Sequence, residues 1–294
     1  MTKKRLWYKV ARNVVKAGQM PIPVNDTLIE LLQILIDEKE AQFISDVFKR
    51  QPNLNIDQIK DIVDIPEDKL KKILSNLMEK GIVTGIPSTS TGVMVYRLMG
   101  PFPGIFEFSL MKKSTSETLE RDKKLARLFD KLFEEMSEGT QKNYDNIVPQ
   151  FKNFPPVDRV IPVEKEIDIT QEVVLPSEEV KKVVEKFDNI AVALCYCRHE
   201  KDLLGDPCKM DAPRENCLLF GKTAKFSIDQ GFANPITKED AKKILEEAEE
   251  YGLVHKAFHI HQNPERNEEA ICSCCKCCCG IFQLYYRGVM PLYT

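Results

Sequence analysis

The chain has 294 residues, 43% of them hydrophobic and 30% charged, with a formal net charge of -3. That is enough for two domains with ordinary cores, and the charge gives no basis for whole-molecule attraction to nucleic acid or anionic lipid. The longest apolar run, Ile190–Cys195, falls far short of the roughly 20 residues that span a bilayer. Lys9, Arg12 and Lys16 break the apolar stretch a signal peptide would need, so a cytoplasmic location is expected.

Residues 1–25 read as a basic arm. Leu6, Trp7, Val10, Val14 and Val15 can share one helix face, which suits packing on the next domain better than a membrane or partner surface. Residues 26–136 read as a winged-helix-like domain plus a further helix. Asp26 or Thr27 caps a helix carrying Leu28, Leu31, Leu32 and Leu35, and a second helix covers 41–50 with Phe43, Ile44, Val47 and Phe48. A short helix carries Ile56, Ile59, Ile62 and Val63. Pro66-Glu67-Asp68 then opens a helix through Leu70, Ile73, Leu74 and Leu77 that stops at Lys80-Gly81. Two β-like runs, Ile82–Thr84 and Val93–Leu98, flank the polar loop Gly85–Gly92 and form the wing. After Pro101-Phe102-Pro103-Gly104, an amphipathic helix covers 117–135 through Leu125, Leu128, Phe129, Leu132 and Phe133.

Residues 137–160 are polar and proline-bearing and read as a linker. Residues 161–294 form the second, cysteine-rich domain. Ser177 caps a helix reaching Phe187, the strand Ile190–Leu194 runs straight into Cys195, and Thr237 opens a helix ending near Tyr251-Gly252. The expected fold class is α+β in two domains.

All ten cysteines lie between 195 and 279, and clustered thiols in a reducing compartment point to metal rather than disulfides. The first run places Cys195, Cys197, Cys208 and Cys217. The second places Cys272, Cys274, Cys275, Cys277, Cys278 and Cys279. Four thiolates saturate a 4Fe–4S cluster, so ten provide for two clusters with two to spare. Neighbouring residues of an extended chain point to opposite sides. The second run therefore serves two sites flanking its backbone, each completed from the first run, with individual ligands unassigned because several Cys-x-x-Cys frames overlap. Zinc is the rival metal. The apolar residues Ile271, Ile281, Phe282, Leu284, Tyr285 and Tyr286 around the second run favour iron–sulfur, since dry walls exclude water and tune potential. Arg198 and Lys276 adjoin candidate ligands, either as cations raising a cluster's potential or as solvated charge. His199, His255, His259 and His261 are expected to be surface or hydrogen-bonded groups rather than ligands.

The order Cys-x-Cys-Arg, Cys, Asn-Cys-Leu-Leu-Phe-Gly, a Glu-rich helix ending Glu-Tyr-Gly-Leu-Val-His, then Ile-Cys-Ser-Cys-Cys-Lys-Cys-Cys-Cys-Gly resembles a group of bacterial and archaeal 4Fe–4S-binding proteins. The resemblance covers roughly residues 185–282 and extends to the helical N-terminal region and its Pro-Phe-Pro-Gly-Ile-Phe-Glu segment. It implies cluster binding and redox work without supplying a substrate. Many such proteins carry a further ferredoxin module with Cys-x-x-Cys-x-x-Cys-x-x-x-Cys-Pro, which this sequence lacks after Cys279.

Two roles compete. One is electron transfer to or within a redox enzyme complex, with the winged-helix region docking the partner. The other is a redox-sensing transcriptional regulator. Residues 57–80 hold five lysines against six acids, and the loop 85–92 has no Lys or Arg. DNA-facing surfaces need excess positive charge, so protein docking is the stronger expectation. A zinc-thiolate interaction protein is the third reading. No acid–base pair, phosphate loop or nucleophile motif supports a stand-alone enzyme.

Overall fold

The computed structural model describes residues 3–18, 20, 22–151, 158–161, 177–258 and 269–289. It is a mixed helix-and-sheet, α+β chain that divides into two compact units, Met1–Ser109 with Ser114–Leu132, and Leu110–Lys113 with Phe133–Thr294.

The first unit begins with α1 (Lys3–Ala17), α2 (Asp26–Leu35) and α3 (Glu38–Val47). Helix α1 buries Leu6, Trp7, Val10 and Val14 against α2 and α3, and the Asn13 side chain donates to the Ile44 carbonyl at 3.2 Å. Helix α1 is therefore part of this unit's core. Asn25, one residue before the expected cap, closes α2 by accepting from the Leu28 N–H at 2.9 Å. Helix α3 starts earlier than the apolar pattern suggests, because Asp37 and Glu40 form a reciprocal capping box.

Next come β1 (Asn53–Asn55), α4 (Ile56–Lys60), α5 (Glu67–Glu79), β2 (Val83–Pro87) and β3 (Met94–Leu98), with an antiparallel sheet in the order β1-β3-β2. Leu70, Leu74 and Leu77 of α5 are fully buried. Gly81 turns the chain from α5 into β2 at a φ of +69°, where a Cβ would collide with Phe108, so only glycine fits. Helices α6 (Ile105–Leu110) and α7 (Leu119–Lys142) follow. Phe102, Phe106 and Phe129 meet with ring centroids 4.8–5.9 Å apart. Helix α7 runs on to Lys142 and α8 covers Tyr144–Phe151, so much of 137–160 is helical.

The second unit centres on a six-stranded sheet. Its elements are β4 (Asp158–Ile161), α9 (Ser177–Glu185), β5 (Ile190–Leu194), α10 (Tyr196–Leu204), β6 (Glu215–Phe220), α11 (Gly221–Asp229), β7 (Ala233–Pro235), α12 (Lys238–Glu250), β8 (Val254–Phe258), β9 (Ala270–Cys274) and α13 (Gly280–Tyr286). The strand order is β4-β8-β9-β6-β5-β7, antiparallel throughout.

Alternation along the strands divides this unit. Ile190 and Val192 of β5, Leu218 and Phe220 of β6, Ala257 of β8 and Ile271 of β9 pack with Val180, Val183 and Val184 of α9 and Ala241 and Leu245 of α12. The residues between them, Cys217 on β6 and Cys272 and Cys274 on β9, belong to the opposite face. Hydrophobic patterning thus fixes the register, and the register delivers the thiols to one side.

Candidate metal centre

All ten cysteines are free thiols, and the described structure brings them together from three places. The end of β5 and the start of α10 supply Cys195 and Cys197. The loop after α10 supplies Cys208. The sheet and the turn after β9 supply the rest.

By contacts between sulfurs, nine of the thiols fall into two groups, and Cys195 faces both. In the smaller group the Cys208 sulfur lies 3.7 Å from those of Cys275 and Cys277, and the Cys277 sulfur lies 3.5 Å from that of Cys278. The four sulfurs are all within 4.8 Å of one another, so this group can hold a metal ion. In the larger group, Cys217 and Cys272 are register partners with sulfurs 3.6 Å apart. Cys274 donates to Cys272 and to Cys279, and Cys197 donates to Cys279 and accepts from the Gly280 N–H at 3.2 Å. Cys195, the N-cap residue of α10, faces both Cys275 and Cys279. A cavity among the thiols is lined by the cysteines of the larger group, by Cys275 and Cys278 of the smaller one, and by the apolar side chains of Phe258 and Ile281.

Each group contains one thiol poised as thiolate. The hydrogen bond from Cys278 lowers Cys275 to about 4, against the opposing effect of burial and with help from Arg198. Hydrogen bonds from Cys197 and Cys274 hold Cys279 well below the usual thiol range, and Lys256 contributes. The donors move the other way: Cys197 is pushed up first by its bond to Cys279, Cys274 by its bond to Cys272, and Cys272 by its bond to Cys217. Burial raises Cys195 and Cys277.

Two buried cations stand beside the thiols, Arg198 facing Cys195 and cysteines of the smaller group and Lys256 facing the larger one. Arg198 is 0% exposed. It donates to the Pro213 carbonyl at 2.8 Å, the Asn216 side-chain oxygen at 2.7 Å and the Ser273 carbonyl at 2.8 Å. Burial opposes its charge, but the Cys195 and Cys275 thiols more than offset this and raise its pKa. Lys256 is 3% exposed, shares a register position with Cys272, and places its ammonium 4.4 Å from the Phe282 ring centroid. Buried cations of this kind offset the charge of clustered thiolates.

Of the two cations the sequence singled out, Arg198 is buried among the ligand candidates while Lys276 is exposed. His199 is buried with Nδ1 2.8 Å from the Leu110 carbonyl. His255 is fully buried with Nδ1 3.2 Å from Ser273 Oγ, and burial lowers it to about 4, so it is neutral near pH 7. His259 and His261 lie outside the described residues.

Lys256, Asn216 and Ser273 went unnoticed in the sequence. The alternation Val254-His255-Lys256-Ala257-Phe258 is the signal that could have found Lys256, because a lysine between apolar strand neighbours faces whatever the sheet's other side carries.

No known protein family, no curated protein and no solved structure matches the chain. No helix among the described residues is long and apolar enough to cross a membrane.

Proposed function

We propose that this chain is an iron–sulfur electron-transfer protein with two cysteine-bound metal centres, the larger thiol group carrying a 4Fe–4S cluster. The observation that carries the reading is the gathering of ten free thiols, nine of them in two contact groups, beside the buried cations Arg198 and Lys256. Ten thiols exceed what one cubane takes. The larger group combines surplus ligands, apolar walls and a counter-charge, the surroundings that tune a cluster's potential. The resemblance to bacterial and archaeal 4Fe–4S-binding proteins points the same way.

The first unit serves as a docking module in this reading. Its order of helix, strand, two helices and two strands, α3-β1-α4-α5-β2-β3, supports the winged-helix reading. Lys60 and Lys71 are both paired to Glu67, and Lys80 is paired to Glu40 at 2.7 Å. Phosphate contacts need cations that are not already neutralised, so a redox protein or enzyme complex is a better partner than DNA.

The test is anaerobic purification of the full chain, with iron, zinc and acid-labile sulfide measured per chain and EPR recorded after reduction. Sulfide in step with iron, and a cubane signal on reduction, are the expected results. Zinc without sulfide would overturn the electron-transfer reading and leave a zinc-stabilised docking protein. DNA affinity that is strongly salt-dependent and changes on reduction would replace docking with transcriptional regulation.

A further inference from the structure

The sulfur spacings decide how many metal atoms the smaller group can share. One ion held tetrahedrally by four thiolates at about 2.3 Å sets the sulfurs about 3.8 Å apart. The Cys208–Cys275, Cys208–Cys277 and Cys277–Cys278 separations are 3.7, 3.7 and 3.5 Å, and all six pairs fall within 4.8 Å. The larger group is arranged differently. Its thiols touch in a chain, from Cys217 through Cys272, Cys274 and Cys279 to Cys197. Among the described residues, only the smaller group gathers four potential ligands this tightly.

We infer that Cys208, Cys275, Cys277 and Cys278 form a mononuclear tetrathiolate site for one divalent ion, zinc or iron, and that the polynuclear cluster belongs to the larger group alone. This rests on the metal-thiolate reading above and gives the two centres different nuclearity. Local backbone supports it. Cys275 and Cys278 frame a Cys-x-x-Cys turn, with the Cys279 N–H donating to the Cys275 carbonyl at 3.2 Å, the kind of knuckle that structural tetrathiolate sites use.

The surroundings supply the rest. Ala212, Ala248 and Leu253 pack on the group, with Met210 half-buried beside it. Four protein thiols close the shell of one ion and leave no open position for substrate. A divalent ion with four thiolates carries two negative charges, and Arg198, which faces Cys275 and Cys208, offsets part of them. The ion would join the loop carrying Cys208 to the turn after β9, closing the long excursion between them. Its role is structural, and electron transfer falls to the other centre.

The experiment uses the full chain prepared without oxygen, as wild type, Cys277→Ser and Cys217→Ser. Metal and sulfide are measured, and a sample reloaded with Co2+ gives the visible spectrum. The wild type should carry about one ion beyond a set of about four irons and four sulfides. Cys277→Ser should lose that ion and the tetrahedral cobalt bands, while sulfide and the reduced-state EPR signal persist. Cys217→Ser should do the reverse. About eight irons and eight sulfides in the wild type, or loss of about four of each in Cys277→Ser, would overturn the inference. Should Cys277→Ser fail to fold, Cys277→His keeps a ligand and should shift the cobalt charge-transfer bands with sulfide unchanged; a fall in sulfide there counts against the site. A wild type without sulfide whose cobalt bands vanish in Cys277→Ser would refute the cluster proposal yet uphold the single-ion site.

Discussion

The first unit contains no cysteine, and its interior is mainly hydrocarbon. Leu70, Leu74, Leu77, Ile82 and Val83 are fully buried, the rings of Phe102, Phe106 and Phe129 interlock, and the starts of α2 and α3 are closed by the side chains of Asn25 and Asp37. In the second unit, hydrocarbon fills the face of the sheet beneath α9 and α12. The other face gathers thiols beside two buried cations, an arrangement that is costly until something binds the sulfurs. One unit is complete as a polypeptide. The other has part of its interior specified for a ligand.

The sharpest way to break that comparison is to strip the metal. A chelator under anaerobic conditions should remove on the order of 10 kcal/mol of coordination free energy. Amide exchange should then accelerate across 195–217 and 270–286, while α2, α3 and α5 keep their protection. Unchanged exchange around the cysteines would erase the contrast.

Substitutions come next. Arg198→Met leaves Asn216 and the Ser273 carbonyl without their donor and should cost about 3–5 kcal/mol in the second unit. Phe129→Ala opens the aromatic cluster and should cost about 3–5 kcal/mol in the first. Thermal melts followed by exchange or proteolysis should assign each loss to its own unit and leave metal content unaltered in Phe129→Ala.

Acid sharpens the comparison because the units respond with opposite sign. His255 has its folded pKa lowered to about 4 by burial. The stability it carries is present above its unfolded value and is lost as pH falls from about 6.5 toward 4, by up to about 3 kcal/mol. Glu107 in the first unit has its pKa raised to about 7, again by burial. Its contribution is present below the unfolded carboxylate value of about 4.5 and declines as pH rises through about 7. Urea unfolding at pH 5 and pH 7 should show this crossing, and His255→Asn should flatten the second unit's slope. The smallest effect expected is that of Asp37→Ala, which removes one capping box and costs the first unit about 1 kcal/mol, read as a shift in urea midpoint.

Much of the helical pattern was legible because its signals are local. Helix α5 lies between Pro66 and Gly81 as its flanking residues indicate, and α12 begins after Thr237. Strand β1 was not legible. Three residues carry no periodicity, and Asn53–Asn55 becomes a strand only through pairing with Val95–Arg97 some forty residues away. The second unit's sheet was hidden for a related reason. Cys217 and Cys272 look like ligands in the sequence, and nothing local says they are also cross-strand neighbours. Candidate ligands were visible by residue type. Their grouping was not, because it depends on which face of β9 each residue takes and on where the turn at 275–278 returns the chain.

That dependence has a consequence for how the segment tolerates change. Cys274 and Cys275 are adjacent in the chain yet serve different groups, as do Cys278 and Cys279. A point substitution in this stretch removes one donor and leaves the others where they are. A single inserted or deleted residue in β9 instead reverses the parity of the strand residues beyond it, sending sulfurs to the hydrocarbon side and Ile271 or its neighbours to the metal side. The cysteine-rich segment is therefore written in a fixed reading phase, open to replacement letter by letter but closed to any change in length.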